Sequence, residues 1–253
     1  MGYNTTDEMQ ASSAKQLYSL MAFPFEAVGE KPASLNDLNF SNPSIDDRAN
    51  RADQIKLWVP MKNGKFDPTG EGAYNYETFY HSEDGWRAVS GDTPFDEAHP
   101  EGITAGSTFW YYSQKKVSAG TLTTSGAVCS DVMVKRTVRR EEYNFVSFPY
   151  PVNLKLDDVN LVDWGDASVD DRANRADQIK LWVKSEGATE YNYVTFYYSE
   201  DGWRAVSGDT PFAEAYPNGI TVGRGFWYKP YYKSGMSAEF DITFKSPISK
   251  TAE

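Results

Sequence analysis

The chain has 253 residues, a formal charge of −11 and 15% aromatic residues. The acidity argues against nucleic acid, whose phosphates call for clustered Lys and Arg, and against docking on anionic membranes. No apolar run approaches the roughly 20 residues of a membrane-spanning helix, and the single cysteine, Cys129, cannot form an intrachain disulfide and reads as an inert small side chain.

Residues 1–16 are polar and read as a lead-in, with neither the basic start nor the apolar core of a secretory signal. Tyr18–Phe25 matches Tyr143–Tyr150, and both predict a strand closed by proline, which cannot donate to a ladder. The following segments, Glu26–Pro43 and Pro151–Ala167, diverge and read as loops, with Val159–Trp164 locally ordered. Then comes Asp46–Val59, which recurs letter for letter as Asp170–Val183 and marks an internal duplication. Ser44 followed by Asp47, like Ser168 followed by Asp171, resembles a capping box. It predicts a short helix over Arg48–Asp53, burying Ile45, Ala49 and Ala52. In the strand Gln54–Val59, alternation sets Ile55, Leu57 and Val59 opposite Lys56 and Trp58.

The loop Pro60–Ala73 is longer than its counterpart Lys184–Glu190, as suits a surface tip. A hairpin is predicted from Tyr74–His81, a turn at Ser82–Gly85 and a return over Trp86–Val89, because Asp-Gly favours such turns. The loop Ser90–Gly102 leads to a strand over Ile103–Tyr111, and weaker strands, Gly120–Val128 and Ala238–Lys245, close the two repeats. The expected fold is mostly β: two tandem homologous antiparallel β-sandwich or partly open barrel domains, each with one short helix. They cover 17–130 and 143–246, with a basic linker over 131–142 and a tail over 247–253.

The second copy tests every candidate for chemistry. His81 and His99 are replaced by Tyr198 and Tyr216, so neither histidine reads as catalytic and both read as bulky surface residues. One cysteine and no histidine cluster leave zinc unsupported, and no nucleophile elbow, phosphate loop or dinucleotide fingerprint appears. The repeated Asp46, Asp47, Asn50 and Asp53, with Asp170, Asp171, Asn174 and Asp177, offer oxygens to calcium. Arg48 and Arg51 stand among the first set, so a salt-bridged, capped helix competes with a calcium site, and no other cofactor is expected. Glu83-Asp84 and Glu200-Asp201 fall in a turn that favours Asp for local geometry.

Aromatics are the remaining resource. Trp58, Trp86 and Trp110 recur as Trp182, Trp203 and Trp227, with Trp164 left over. Trp86-Arg87 and Trp203-Arg204 follow directly on a turn; with Tyr80 and Tyr197 they are the candidate patch for a glycan or a partner protein. Between Tyr74–Tyr111 and Tyr191–Tyr228, 30 of 38 positions are identical, whereas Tyr18–Ala27 and Tyr143–Val152 share only Tyr, Phe and Pro. Surface exchanges are usually cheap, so the retained polar residues, Arg48, Lys56 and Arg87 among them, read as a used surface.

Val146-Ser-Phe-Pro149, Ala176-Asp-Gln-Ile179 with Trp182, Tyr197-Tyr198, Gly202-Trp-Arg204 and Gly225-Phe-Trp-Tyr228 together make a motif. In it the chain resembles a poorly characterised family of secreted bacterial proteins, and Gly2-Tyr-Asn-Thr5 is similar to their starts just after the signal peptide. The resemblance implies export, a cell-surface or extracellular role, and no catalytic residues to carry over. The expected function is therefore a non-enzymatic, exported structural and interaction protein, without membrane insertion, that assembles with itself or with surface proteins. The alternative is a tandem carbohydrate-binding protein acting on a polysaccharide, and the third reading is a hydrolase of unknown chemistry.

Overall fold

The strand that ends the repeated stretch sets the architecture. In the computed structural model, Gln54–Lys62 turns Ile55 and Leu57 into a core and leaves Lys56 and Trp58 on the opposite side, as period-2 alternation requires. The structure describes residues 2–8, 17–63, 65–70, 72–114, 120–184 and 191–247, and they fall into two units, Met1–Val128 and Cys129–Glu253.

In the first unit the strands are β1 (Gly2–Glu8), β2 (Leu17–Phe23), β3 (Asn39–Phe40), β4 (Gln54–Lys62), β5 (Lys65–Phe66), β6 (Ala73–Ser82), β7 (Gly85–Ala88), β8 (Ser107–Ser113) and β9 (Thr121–Ala127). They make an antiparallel sheet in the order β2-β8-β4-β6-β7, with β5 paired to β4, and a three-stranded sheet β1-β9-β3. The core between the sheets holds Met21, Phe23, Ile55, Leu57, Phe79, Trp86, Phe109 and Tyr111, with Phe40 and Leu122 from the smaller sheet. A one-turn helix, α1 (Phe95–Ala98), hangs on the buried ring of Phe95.

The second unit repeats the plan. Its strands are β10 (Met133–Arg139), β11 (Asn144–Ser147), β12 (Val162–Asp163), β13 (Gln178–Lys184), β14 (Tyr191–Ser199), β15 (Gly202–Ala205), β16 (Gly225–Lys229) and β17 (Glu239–Lys245), with helix α2 at Phe212–Ala215. The sheets run β11-β16-β13-β14-β15 and β10-β17-β12, the same orders with equivalent strands and no closed barrel. Trp164, without a counterpart in sequence, fills the core beside Trp203 and Tyr228 at ring distances of 5.0 and 5.2 Å. Phe40 does the same in the first unit, stacked at 4.4 Å on Tyr111 and edge-on to Trp86.

Three expectations are corrected. The polar lead-in contains β1, paired with β9 from Gly2↔Ala127 to Glu8↔Thr121. The expected linker contains β10, paired with β17 from Met133↔Lys245 to Arg139↔Glu239. Its basic residues are explained by that position: Arg139 pairs with Glu239 at 2.9 Å and Lys135 with Asp241 at 3.7 Å across the ladder, where opposite charges guard a sheet edge.

The third correction is the helix over Arg48–Asp53, which is a turn; the α-helices lie instead at α1 and α2, with a 3₁₀ turn at Leu35–Asp37 capped by Ser34. Asp53 is the reason. Fully buried, its carboxyl group accepts from the backbone N–H of Ser44 and Gln114 and from the Tyr111 hydroxyl, so the turn closes around this internal acceptor instead of running on as a helix. Ile45 is accordingly exposed, while Ala52 is buried.

Candidate binding faces

The turn before Trp86 is built as the Asp-Gly signal predicted, with Gly85 at φ 104° and its counterpart Gly202 at φ 98°. A Cβ on Gly85 would stand 2.5 Å from Asn36 Oδ1, the same oxygen that accepts from Trp86 N–H at 2.9 Å. Asp157 plays that part for Trp203. The tryptophans themselves overturn the expected patch: Trp86 is 2% exposed and Trp203 1%, both facing the core. Hairpin register dictates this, because Phe79 pairs with Ala88 and His81 with Trp86, so all four share the inner side.

The rest of the expected patch is a local brace. Tyr80 Oη donates to Asp92 Oδ1 at 2.5 Å, and Arg87 Nε donates to the same oxygen at 2.8 Å. Tyr197, Asp209 and Arg204 repeat the arrangement. These bonds hold the Asp92 and Asp209 carboxyls below the usual carboxylate range and raise the tyrosines. Asp92 and Asp209 also sit at positive φ, 54° and 52°, in turns the brace secures. Retention of Arg87 is thus accounted for by the fold.

The calcium set is likewise divided. Asp53 spends its oxygens on the three donors named above, and Asp177 accepts from Tyr231 N–H at 2.7 Å and from the Tyr228 hydroxyl. Asp46 and Asp170 accept from the N–H of Arg48 and Arg172, and both pair with those guanidinium groups. Among the described residues, no three of these carboxylates lie close enough to share an ion. Burial lifts Asp177 to about 6, and burial with the neighbouring Asp177 charge lifts Tyr228 far above an ordinary tyrosine.

Neither histidine is the surface residue expected. His81 is half-buried and stacked at 4.7 Å on Trp86, the place Tyr198 takes on Trp203 at 4.9 Å; burial lowers its pKa. His99 is buried, with Nε2 2.7 Å from Glu77 Oε2 and the ring 4.2 Å from Phe66.

The site that sequence reasoning missed lies on the outer side of each large sheet. In the first unit, cross-strand register sets Trp58 beside Tyr76, Pro60 beside Tyr74, and Lys56 between Trp110 and Thr78. Trp58 and Tyr76 meet edge to face at 4.8 Å, Tyr74 is 6.4 Å from Trp58, and Trp110 Nε1 donates to Tyr76 Oη at 3.1 Å. Tyr18 closes the group, 6.0 Å from Trp110, with Lys56 Nζ 3.3 Å from its hydroxyl.

In the second unit, Trp182 and Tyr193 lie at 4.8 Å, Tyr191 at 6.4 Å, and Trp227 Nε1 donates to Tyr193 Oη at 3.2 Å. Lys180 Nζ stands 4.5 Å above the Tyr143 ring, and Phe145 stacks on Trp227 at 3.9 Å. Tyr74 is 38% exposed, Tyr193 46% and Tyr143 37%. Aromatic rings, hydroxyls and a lysine thus form the same lattice twice, on strands whose other side is core. The signal was present in the sequence: Trp58, Tyr74 and Tyr76 fall on the polar phase of their strands. No protein-family model, no curated protein and no solved structure matches the chain.

Proposed function

We propose that the chain is a non-enzymatic binding protein that holds an extended glycan on the outer sheet face of each unit. The observation that carries this is the duplicated outer-face lattice, in which Trp58, Tyr74 and Tyr76, and Trp182, Tyr191 and Tyr193, are partly exposed, while the buried Trp110 and Trp227 anchor it through their bonds to Tyr76 and Tyr193. A pyranose ring has an apolar C–H face and a hydroxyl rim; aromatic rings receive the first, and tyrosine hydroxyls and lysine the second. Export to the cell surface, which the family resemblance would imply, would place such faces where polysaccharide is met. Retention on insoluble polysaccharides, compared with that of Trp58→Ala and Trp182→Ala, tests the reading. Each change is expected to weaken retention roughly tenfold, about 1.4 kcal/mol, and equal retention of both variants and parent would overturn it.

Self-association is the second reading, favoured by one feature: Tyr- and Trp-rich faces are also what protein interfaces use. Two like faces on one chain can close into a dimer or continue into a filament. Repulsion at a charge of −11 weakens as salt screens it. Association that rises with salt in light scattering, and is lost in Trp58→Ala, would favour this reading over the first.

A further inference from the structure

At one end of the second unit's outer face, the sheet runs into a cleft of about 470 Å³ lined by Glu141, Asn174, Gln178, Lys229 and Tyr231, with Ala176 and Pro230 beneath. Gln178 and Lys229 are cross-strand neighbours on the same side of the sheet as Trp182 and Trp227. The volume lies within the roughly 300–1,000 Å³ typical of small-molecule sites.

The walls are fixed from behind. The buried Arg140 donates to the carbonyls of Tyr231 and Ser237 at 3.0 and 2.9 Å, and to the Asp166 carbonyl and carboxylate at 2.7 and 2.9 Å. Its guanidinium stands 4.2 Å over Phe240, and the buried Asp177 takes Tyr231 N–H. Glu141 is held at φ 62° by its N–H bond to the Pro230 carbonyl.

Against this rigid frame the lining groups are available. Gln178 Nε2 donates to the Ala173 carbonyl at 2.5 Å, which fixes the amide. Among the described residues, the Glu141 carboxylate and the Asn174 amide have no partner, and Lys229 has only the Tyr143 ring at 5.4 Å.

In the first unit the counterpart of Lys229 is Tyr112, packed on Tyr18 at 5.0 Å, and that of Tyr231 is Gln114, whose amide reaches the Asn50 carbonyl at 3.2 Å. The cleft's chemistry therefore belongs to the second unit.

We infer that this cleft binds a neutral hexopyranose residue, at the end or at a branch of the glycan proposed for the adjoining face. A carboxylate that only accepts, an ammonium that only donates and amides that do both are the partners that adjacent sugar hydroxyls need, since each hydroxyl donates once and accepts. One negative and one positive group at the rim disfavour a ligand with net charge of either sign. The inference rests on the glycan reading, and it adds a specificity that the aromatic lattice lacks: the second unit distinguishes sugars, and the first holds the chain.

The test is a titration of the full-length, isotope-labelled chain with cello-, galacto- and manno-oligosaccharides, following side-chain amide and indole signals by NMR. The Asn174 and Gln178 amides are expected to shift with one sugar series and not the others, while those of Asn50 and Gln54 stay still. Glu141→Gln combined with Lys229→Tyr, which installs the first unit's residue, is expected to weaken that binding at least tenfold and leave the Trp58 indole response intact. Indole shifts without Asn174 or Gln178 shifts would overturn the inference and leave the glycan reading standing. Silence of all signals with every sugar would overturn both. Shifts of the same amides with free amino acids instead of sugars would reassign the cleft to a zwitterion and overturn the inference.

Discussion

Glu77 and His99 differ from their counterparts together. Where the first unit pairs a buried carboxylate with a buried imidazole at 2.7 Å, the second has Val194 and Tyr216, with Tyr216 stacked at 5.4 Å on Phe212. A buried acid or base left without its hydrogen-bonding partner costs more than the pair contributes. His99→Tyr alone is therefore expected to lower the stability of the first unit by about 3 kcal/mol, whereas adding Glu77→Val should restore more than half of the loss. A denaturant series on parent, single and double variants reads this directly; additive effects would refute the coupling.

Asp177 gives a second prediction at this scale. Burial raises its folded pKa to about 6, above the ordinary 3.8, so between those values the native state holds more protons than the unfolded chain. Its contribution is therefore fully present below pH 4 and is lost as pH rises through 6. The loss is on the order of 3 kcal/mol. Melting of the second unit should show this fall between pH 4 and 7, and Asp177→Asn should flatten that part of the profile.

At the scale of elements, the hairpins are the parts most sensitive to a single atom. Gly85→Ala adds a methyl group against the Asn36 side chain at a φ of 104° that L-residues avoid. A loss of about 2 kcal/mol is expected, visible as an earlier melting transition, and Gly202→Ala should behave alike because Asp157 stands 2.8 Å from its added Cβ. Elements were legible in the sequence where alternation spoke: the hairpin with its Asp-Gly turn and the closing strands lie within a residue of their expected places, while the strand expected over Gln54–Val59 begins where expected and runs on to Lys62, into the segment read as a loop.

What failed did so for definable reasons. Trp86 was assigned by its nearness to a turn, though counting pairs back from Gly85 to Phe79 already places it inward. The Ser-x-x-Asp signal at Ser44 describes a local preference, and the buried Asp53 overrode it with three distant or flanking donors. Strand β10 hid among basic residues because edge strands carry charge by design. The cleft beside Lys229 could not be read at all, since Glu141, Asn174 and Tyr231 lie in three separate connecting segments that only the folded chain brings together.

For the whole molecule, two similar faces on one chain make binding to a polymer differ from binding to its fragments. If both engage one polysaccharide, the second contact is intramolecular, and avidity can exceed single-face affinity by about 10²–10⁴. Trp58→Ala with Trp182→Ala is then expected to abolish polymer retention. Either single variant should lose about tenfold on the polymer and still bind it more tightly than the parent binds a hexasaccharide. Isothermal titration with polymer and hexasaccharide distinguishes the cases, and equal parent affinity for both would mean that the faces act separately.

The ladders β1–β9 and β10–β17 also carry a meaning for how such a molecule arises. In each unit the opening strand runs antiparallel beside the closing one, Gly2 against Ala127 and Met133 against Lys245, so every unit is entered and left at the same corner. Residues 128–132 are all that connect one exit to the next entrance. A module with adjoining ends can be copied in tandem by one recombination event without opening either core. It can also be cut at an exposed turn and rejoined end to end. Circular permutants that link Ala127 to Gly2 and open between Pro68 and Gly70, in the turn after β5, should therefore fold.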